Sequence, residues 1–192
     1  MVVLDAFEQA HPAVTLELVL EDRHVDLLAE DYDLVVRIGA LEDSSLIARP
    51  LMRMPCYLYG APDYLRRHGT PDHPQALKHH RCLHYTLARQ GPQWTFEVDG
   101  ELQRVRFRPA LACNNGRALV EAAALGMGLV VKPAFLGEPE VAAGRLVRLL
   151  ETFPIPALDV HLLYAERDFM PARLRALIET LLNHFAGSAT HA

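Results

Sequence analysis

Asp33-Leu34-Val35-Val36-Arg37-Ile38-Gly39 is the stretch whose reading sets the fold class. It is a compact apolar run, interrupted by Arg37 and closed by Gly39, and such a run reads as a parallel strand buried on both faces. Upstream, Val14, Leu16, Leu18 and Leu20 alternate with Thr15, Glu17 and Val19, the period of a strand with one face more buried. Between the two, Val25 to Glu30 reads as a short helix. Ahead of both, Val3, Leu4, Phe7 and Ala10 recur at helical spacing until Pro12 closes the helix. Helix, strand, helix, strand in succession predicts an α/β sheet with right-handed crossovers.

The pattern continues toward the C-terminus. Leu46 to Leu51 and Tyr57 to Gly60 read as short strands, and Ala61-Pro62 opens a helix that Gly69 ends. His68 to His80, rich in His, Pro and Gly, is the candidate connection between two subdomains. A second set of elements follows it. Cys82 to Thr86 is a strand, and Trp94 to Val98 and Leu102 to Phe107 flank the hairpin dipeptide Asp99-Gly100. Ala110 to Cys113 is a strand capped by Asn114-Asn115 ahead of the alanine-rich helix Gly116 to Leu125. Leu129 to Val131 is a buried strand, Pro133 starts a helix, and Leu146 to Leu150 and Val160 to Tyr164 are further strands. Leu174, Leu177, Ile178, Leu181, Leu182 and Phe185 form the clearest helical stripe in the chain.

Composition narrows the function classes. Of 192 residues, 51% are hydrophobic and 22% charged, which excludes a disordered chain. Asp plus Glu (24) outnumber Lys plus Arg (19), so the basic excess of a nucleic-acid-binding domain is missing. Cys56, Cys82 and Cys113 form no CxxC pair and read as buried, reduced thiols. Residues 1–10 lack the basic start of a signal peptide, and no apolar run approaches the roughly 20 residues of a membrane span. The reading is a soluble, cytoplasmic protein with no membrane partner.

Three constellations bear on chemistry. His79-His80 with His84 is the densest histidine group, but residues four apart along a strand sit too far apart to chelate one ion, so no metal is expected. Ser44-Ser45 stands in no GxSxG elbow and has no base placed by motif, so no catalytic residue is assigned. Gly126-Met127-Gly128 follows a helix instead of opening one, which argues against a dinucleotide cofactor; no cofactor is expected. What remains is binding. In α/β sheets, loops at the carboxyl ends of strands face the crevice where small ligands sit. By that rule the ligand-binding candidates are Asp22, Arg37, the loop Asp43-Ser44-Ser45, Thr86 and Asn115. Asn115 precedes a helix whose free N–H groups attract anions, and Ser44 and Ser45 offer two hydroxyl donors to a carboxylate. The serines equally fit a turn that satisfies its own backbone.

Several stretches taken together resemble the effector-binding domain of LysR-type transcriptional regulators. They are Phe7 to Leu18 (FEQAHPAVTLEL), Asp33 to Gly39, Asp43-Ser44-Ser45-Leu46-Ile47-Ala48-Arg49, Ala61-Pro62-Asp63-Tyr64-Leu65, Ala122 to Leu129 (AAALGMGL) and Pro171 to Ile178 (PARLRALI). Their order and spacing cover nearly the whole chain. The resemblance implies a two-lobed, type 2 periplasmic-binding-protein-like α/β domain. Lobe I would be residues 1–79 with a terminal helix over 165–187, and lobe II residues 80–164. A small, acidic effector would bind between them. It also implies a homodimer, or a heterodimer with related regulators, in which Met1 to Leu20 of one protomer meets the helix Gly116 to Leu125 of the other. The family's helix-turn-helix and the opening strand of its effector domain find no match here. DNA contact would therefore come only through a missing N-terminal domain, and the first lobe would lack a central strand. Unpaired groups on that strand's neighbours would cost about 1–3 kcal/mol each, leaving the chain weakly stable. The alternatives are a solute-binding protein of a transport system and a small-acid enzyme on the same scaffold.

Overall fold

A computed structural model describes residues 2–23, 25, 27–41, 45–165 and 169–186. In chain order its elements are α1 (Val2–Ala10), β1 (Val35–Ile38), β2 (Leu46–Gly60), α2 (Pro62–His68), a 3-10 helix (Pro74–His79), β3 (Cys82–Tyr85), β4 (Gln93–Val98), β5 (Glu101–Arg106), β6 (Pro109–Cys113), α3 (Gly116–Ala124), β7 (Val130–Pro133), α4 (Ala134–Ala142), β8 (Val147–Leu149), β9 (Ile155–Ala165) and α5 (Ala172–Ala186). They form two compact units, Met1–Met54 with Leu158–Ala192, and Pro55–Ala157. The residue pair His79/His80, where the sequence suggests a boundary, lies inside the second unit. There α2 and the 3-10 helix share a core with β3 through Tyr64, Leu77, Cys82 and Leu83.

In the first unit the amphipathic stripe of α5 does what its spacing predicts. Leu174, Ile178 and Leu181 pack with Val3 of α1 against Leu162 and Tyr164 of β9. β1 runs antiparallel to β9, from Val35↔Leu163 to Ile38↔Val160, and the Gly39 N–H extends the ladder to the Asp159 carbonyl at 2.8 Å. The expected two-faced burial of β1 is not found: Val36 is 51% and Ile38 37% exposed. A strand paired on one side and packed on one face cannot bury both sets of side chains. The strand expected over Val14 to Leu20 does not form either; these residues make no ladder among those described, and Leu20 is 83% exposed. Alternation marks a surface that fits a sheet, but the strand itself needs a partner for its N–H and C=O groups. The helix expected over Val25 to Glu30 is replaced by turns over residues 27–31. Its end is the wrong place for a helix terminus rich in acids, since Glu30 and Asp31 would meet the negative end of the dipole. Instead Asp31 adopts φ 58° and Glu30 pairs with Arg23.

In the second unit the expected parallel sheet survives as a fragment. β3 and β6 are parallel, and Cys82 bridges Leu129 in parallel, with the Leu83 N–H on the Leu129 carbonyl (2.8 Å) and the Leu129 N–H on the Arg81 carbonyl (2.7 Å). All other registered pairs are antiparallel: β1 with β9, β2 with β7 and β8, and β4 with β5. The two strands expected over Leu46 to Leu51 and Tyr57 to Gly60 are one strand, β2, because Pro50 within the first and Pro55 between them forgo a donor but keep an extended backbone. The hairpin of β4 and β5 turns at Asp99 (φ 54°) and Gly100 (φ 79°), both left-handed as a two-residue primed turn requires. Gly128 is demanded by packing: a Cβ there would collide with the Arg81 carbonyl at the point where β3 and β7 meet.

Candidate functional site

The second unit brings two of the candidate residues to one edge. Parallel register sets Tyr85 beside Cys113, so the carboxyl ends of β3 and β6 coincide. Thr86, the next residue along, donates its N–H to the Cys113 carbonyl at 3.0 Å and leaves its side chain exposed. Asn115 is the N-cap of α3. Its Oδ1 accepts the Ala118 N–H at 2.9 Å, while its own N–H points at Cys113 Sγ at 3.4 Å. An N-cap of this kind satisfies one of the four free donors of the first helical turn, and the others keep their attraction for negative charge.

A residue that sequence reading did not single out lies beside this edge. Lys132, in β7, is only 5% exposed, and its Nζ stands 3.7 Å from the centroid of the Tyr85 ring. His84 is the other buried polar residue among those described; burial, and then the nearby Lys132 charge, push its imidazole below the ordinary value. A lysine within Leu129-Val130-Val131-Lys132-Pro133 interrupts an apolar run, and that interruption was the available signal.

On β2 and its neighbours a second polar cluster is closed on itself. Arg148 donates two hydrogen bonds to Glu138, one from Nε at 2.9 Å and one from Nη2 at 2.6 Å. The Tyr59 hydroxyl donates a third to the same carboxylate at 2.9 Å. The Arg148 guanidinium also lies 4.1 Å from the centroid of the Tyr57 ring. These contacts, the Arg148 bonds first, hold Glu138 below the usual carboxylate range, and burial followed by the Glu138 carboxylate pushes the Tyr59 phenol up. Every member is satisfied, so the cluster fixes α4 on the sheet.

The other candidates belong to the first unit. Arg37 lies within β1, half-buried opposite His161 of β9. Asp22 is exposed in a bend after the segment that forms no strand, so no strand end positions it. Ser45 is exposed directly before β2, and Asp43 and Ser44 lie outside the described residues. A cavity of about 300 Å³ in this unit, lined by Leu51, Arg53, Asp159 and His161 among others, includes none of the candidates. Among the described residues no group of three or more His, Cys, Asp or Glu could hold a metal ion, and no helix is long and apolar enough to cross a membrane.

The LysR substrate binding domain model matches residues 1–186. The chain belongs to this family. Among curated relatives it is 36% identical over 188 residues to the HTH-type transcriptional regulator PtxR of Pseudomonas aeruginosa, covering 93% of this chain and 57% of that protein. It is 31% identical over 174 residues to an HTH-type transcriptional regulator of Haemophilus influenzae, covering 91% and 60%. The chain thus spans a little over half the length of these relatives. Among solved structures, the regulatory domain of CrgA from Neisseria meningitidis matches with a TM-score of 0.85 at 26% identity, over 95% of this chain and 90% of that one. Full-length AphB of Vibrio cholerae matches with a TM-score of 0.81 at 25% identity, over 95% and 62%. The chain has the mixed α/β, periplasmic-binding-protein-like fold of LysR regulatory domains and corresponds to their effector-binding part. The relatives are transcriptional regulators, and neither a transport protein nor an enzyme is favoured by them.

Proposed function

We propose that this chain is the sensory module of a LysR-type regulator. It binds a small acidic effector and pairs with a second regulator chain, while DNA contact belongs to a helix-turn-helix outside these residues. On this reading the module is cytoplasmic and performs no catalysis, and its two compact units act as its lobes. The observation that carries the proposal is the family match over residues 1–186. The acidic character of the effector is supported by the second unit, where the N-terminus of α3, the Thr86 hydroxyl and the Lys132 ammonium all favour negative charge. In the first unit ligand-binding roles are assigned to Asp22, Arg37, Asp43, Ser44 and Ser45, of which Arg37 and the two serine hydroxyls are the groups that suit a carboxylate.

The test is calorimetric titration of the chain with acetate, succinate and benzoate, and with the matched amides as uncharged controls. Saturable binding of a carboxylate, weakened about tenfold or more by Thr86→Ala, is the expected result, since one lost hydrogen bond to a charged group is worth about 1.5–3 kcal/mol. Binding of amides and acids alike would overturn the acidic-effector reading. Binding indifferent to Thr86→Ala would remove the β3–β6 edge from the site.

A further inference from the structure

Between α2 and β3 a histidine closes a hydrogen-bond relay. The Tyr64 ring is fully buried, and its hydroxyl is the hub. The backbone N–H of Arg81, the residue that leads into β3, donates to the Tyr64 oxygen at 2.9 Å, and that oxygen lies 3.2 Å from Nδ1 of His80. A phenol has one proton to give. With the Arg81 N–H occupying one lone pair, all three groups are satisfied when the phenol donates to an unprotonated Nδ1, which places the imidazole proton on Nε2. Protonated imidazole carries a hydrogen on both nitrogens. Nδ1 would then point a donor at the hydroxyl, and the phenol proton would lose its acceptor in a buried place, a costly state.

The surroundings work in the same direction. The His68 ring of α2 stacks on Tyr64 with centroids 4.6 Å apart, and Arg67 of the same helix reaches the Gly126 carbonyl at 3.3 Å. From the other side come His79 and Arg81, whose Nε donates to the Met127 carbonyl at 2.9 Å, and the Cys82 thiol, which burial keeps protonated. Burial, then the charges of His68 and His79, lower the His80 imidazole from its ordinary 6.5.

We propose that Tyr64, His80 and Arg81 form a pH-sensitive latch that ties α2 to the entry of β3 and opens when His80 takes up a proton. The sign follows from linkage. A histidine whose value is lower in the folded protein binds its proton more readily when the latch is open. The latch is therefore at full strength above pH 6.5 and loses strength as pH falls toward the folded value.

The test is hydrogen exchange at the Arg81 amide, read as protection relative to the unstructured rate, from about pH 7.5 down to about pH 5. In the unmodified chain protection should fall below pH 6.5 with a slope of up to about tenfold per pH unit, the signature of one proton. His80→Asn keeps an acceptor at the same position without the titration, and its protection should stay level over that interval. A level profile in the unmodified chain, or a parallel fall in His80→Asn, would overturn the latch. The imidazole titration of His80, followed by NMR in the unmodified chain, makes the outcome independent of any variant's folding. The fall in Arg81 protection should begin near pH 6.5 and level off at the His80 midpoint; a fall that continues well below that midpoint, or that begins only below it, refutes the latch.

Discussion

The two units are built from similarly apolar sequence and end up with unequal cores. In the second, nineteen of the described residues form one buried cluster, from Leu58 to Leu149. In the first, the corresponding cluster has six, centred on β9 and α5, and Leu18, Leu20, Val36 and Ile38 remain exposed. Hydrophobicity does not separate Val14 to Leu20 from Ala110 to Cys113. What separates them is a partner: β6 has β3 alongside it, while residues 14–20 have no ladder among the described residues. An apolar segment contributes burial only once its backbone groups are paired, because unpaired donors and acceptors hold it in water.

Three substitutions can break or sharpen this contrast. The largest effect is expected for Phe96→Ala, which empties a fully buried position in the larger core. A loss of about 3–5 kcal/mol in a urea titration is the expected result for such a cavity, and a loss near zero would mean the second unit is no better packed than the first. A middle effect belongs to Tyr59→Phe. It deletes the hydroxyl that donates to the Glu138 carboxylate and should cost about 1.5–3 kcal/mol, also raising the pH at which Glu138 protonates, as a carbon-detected NMR titration would show. The smallest effect is expected for Leu20→Ser, within about 0.5 kcal/mol because the side chain already meets solvent. A loss of several kcal/mol from that substitution would show that residues 14–20 are covered in solution and would erase the contrast.

How much of this was legible beforehand follows the same division between local and non-local causes. The Asp99-Gly100 turn, the Gly69 stop of α2 and the stripe of α5 are written within a few residues of themselves, and the structure has all three. The fate of Val14 to Leu20 depends on another stretch of chain, and so does β2, whose residues Cys56 to Gly60 pair with β7 and β8 and which neighbours β9 in the sheet. The candidate site behaves likewise. Thr86 and Asn115 fall at one edge because the carboxyl ends of the parallel strands β3 and β6 coincide. Asp22 could not be placed, since the strand whose end it was to mark does not form. The setting of Lys132 is not local, since the ring it stands over, Tyr85, is on another strand. The relay through Tyr64 joins residues sixteen and seventeen apart, and nothing local to His80 points to Tyr64.

The three cysteines offer a practical handle. Cys56 and Cys82 are buried, and burial pushes the Cys82 thiol up to about 12, so both should be slow to react with a maleimide. Cys113 is only half-buried and stands two residues ahead of the Asn115 cap, giving up one weak contact from the Asn115 N–H when modified. A small fluorophore placed there without any engineering would sit at the end of β6, next to the edge where Thr86 and Asn115 meet. The brightness of that dye would turn the unaltered protein into its own detector for whatever settles on that edge.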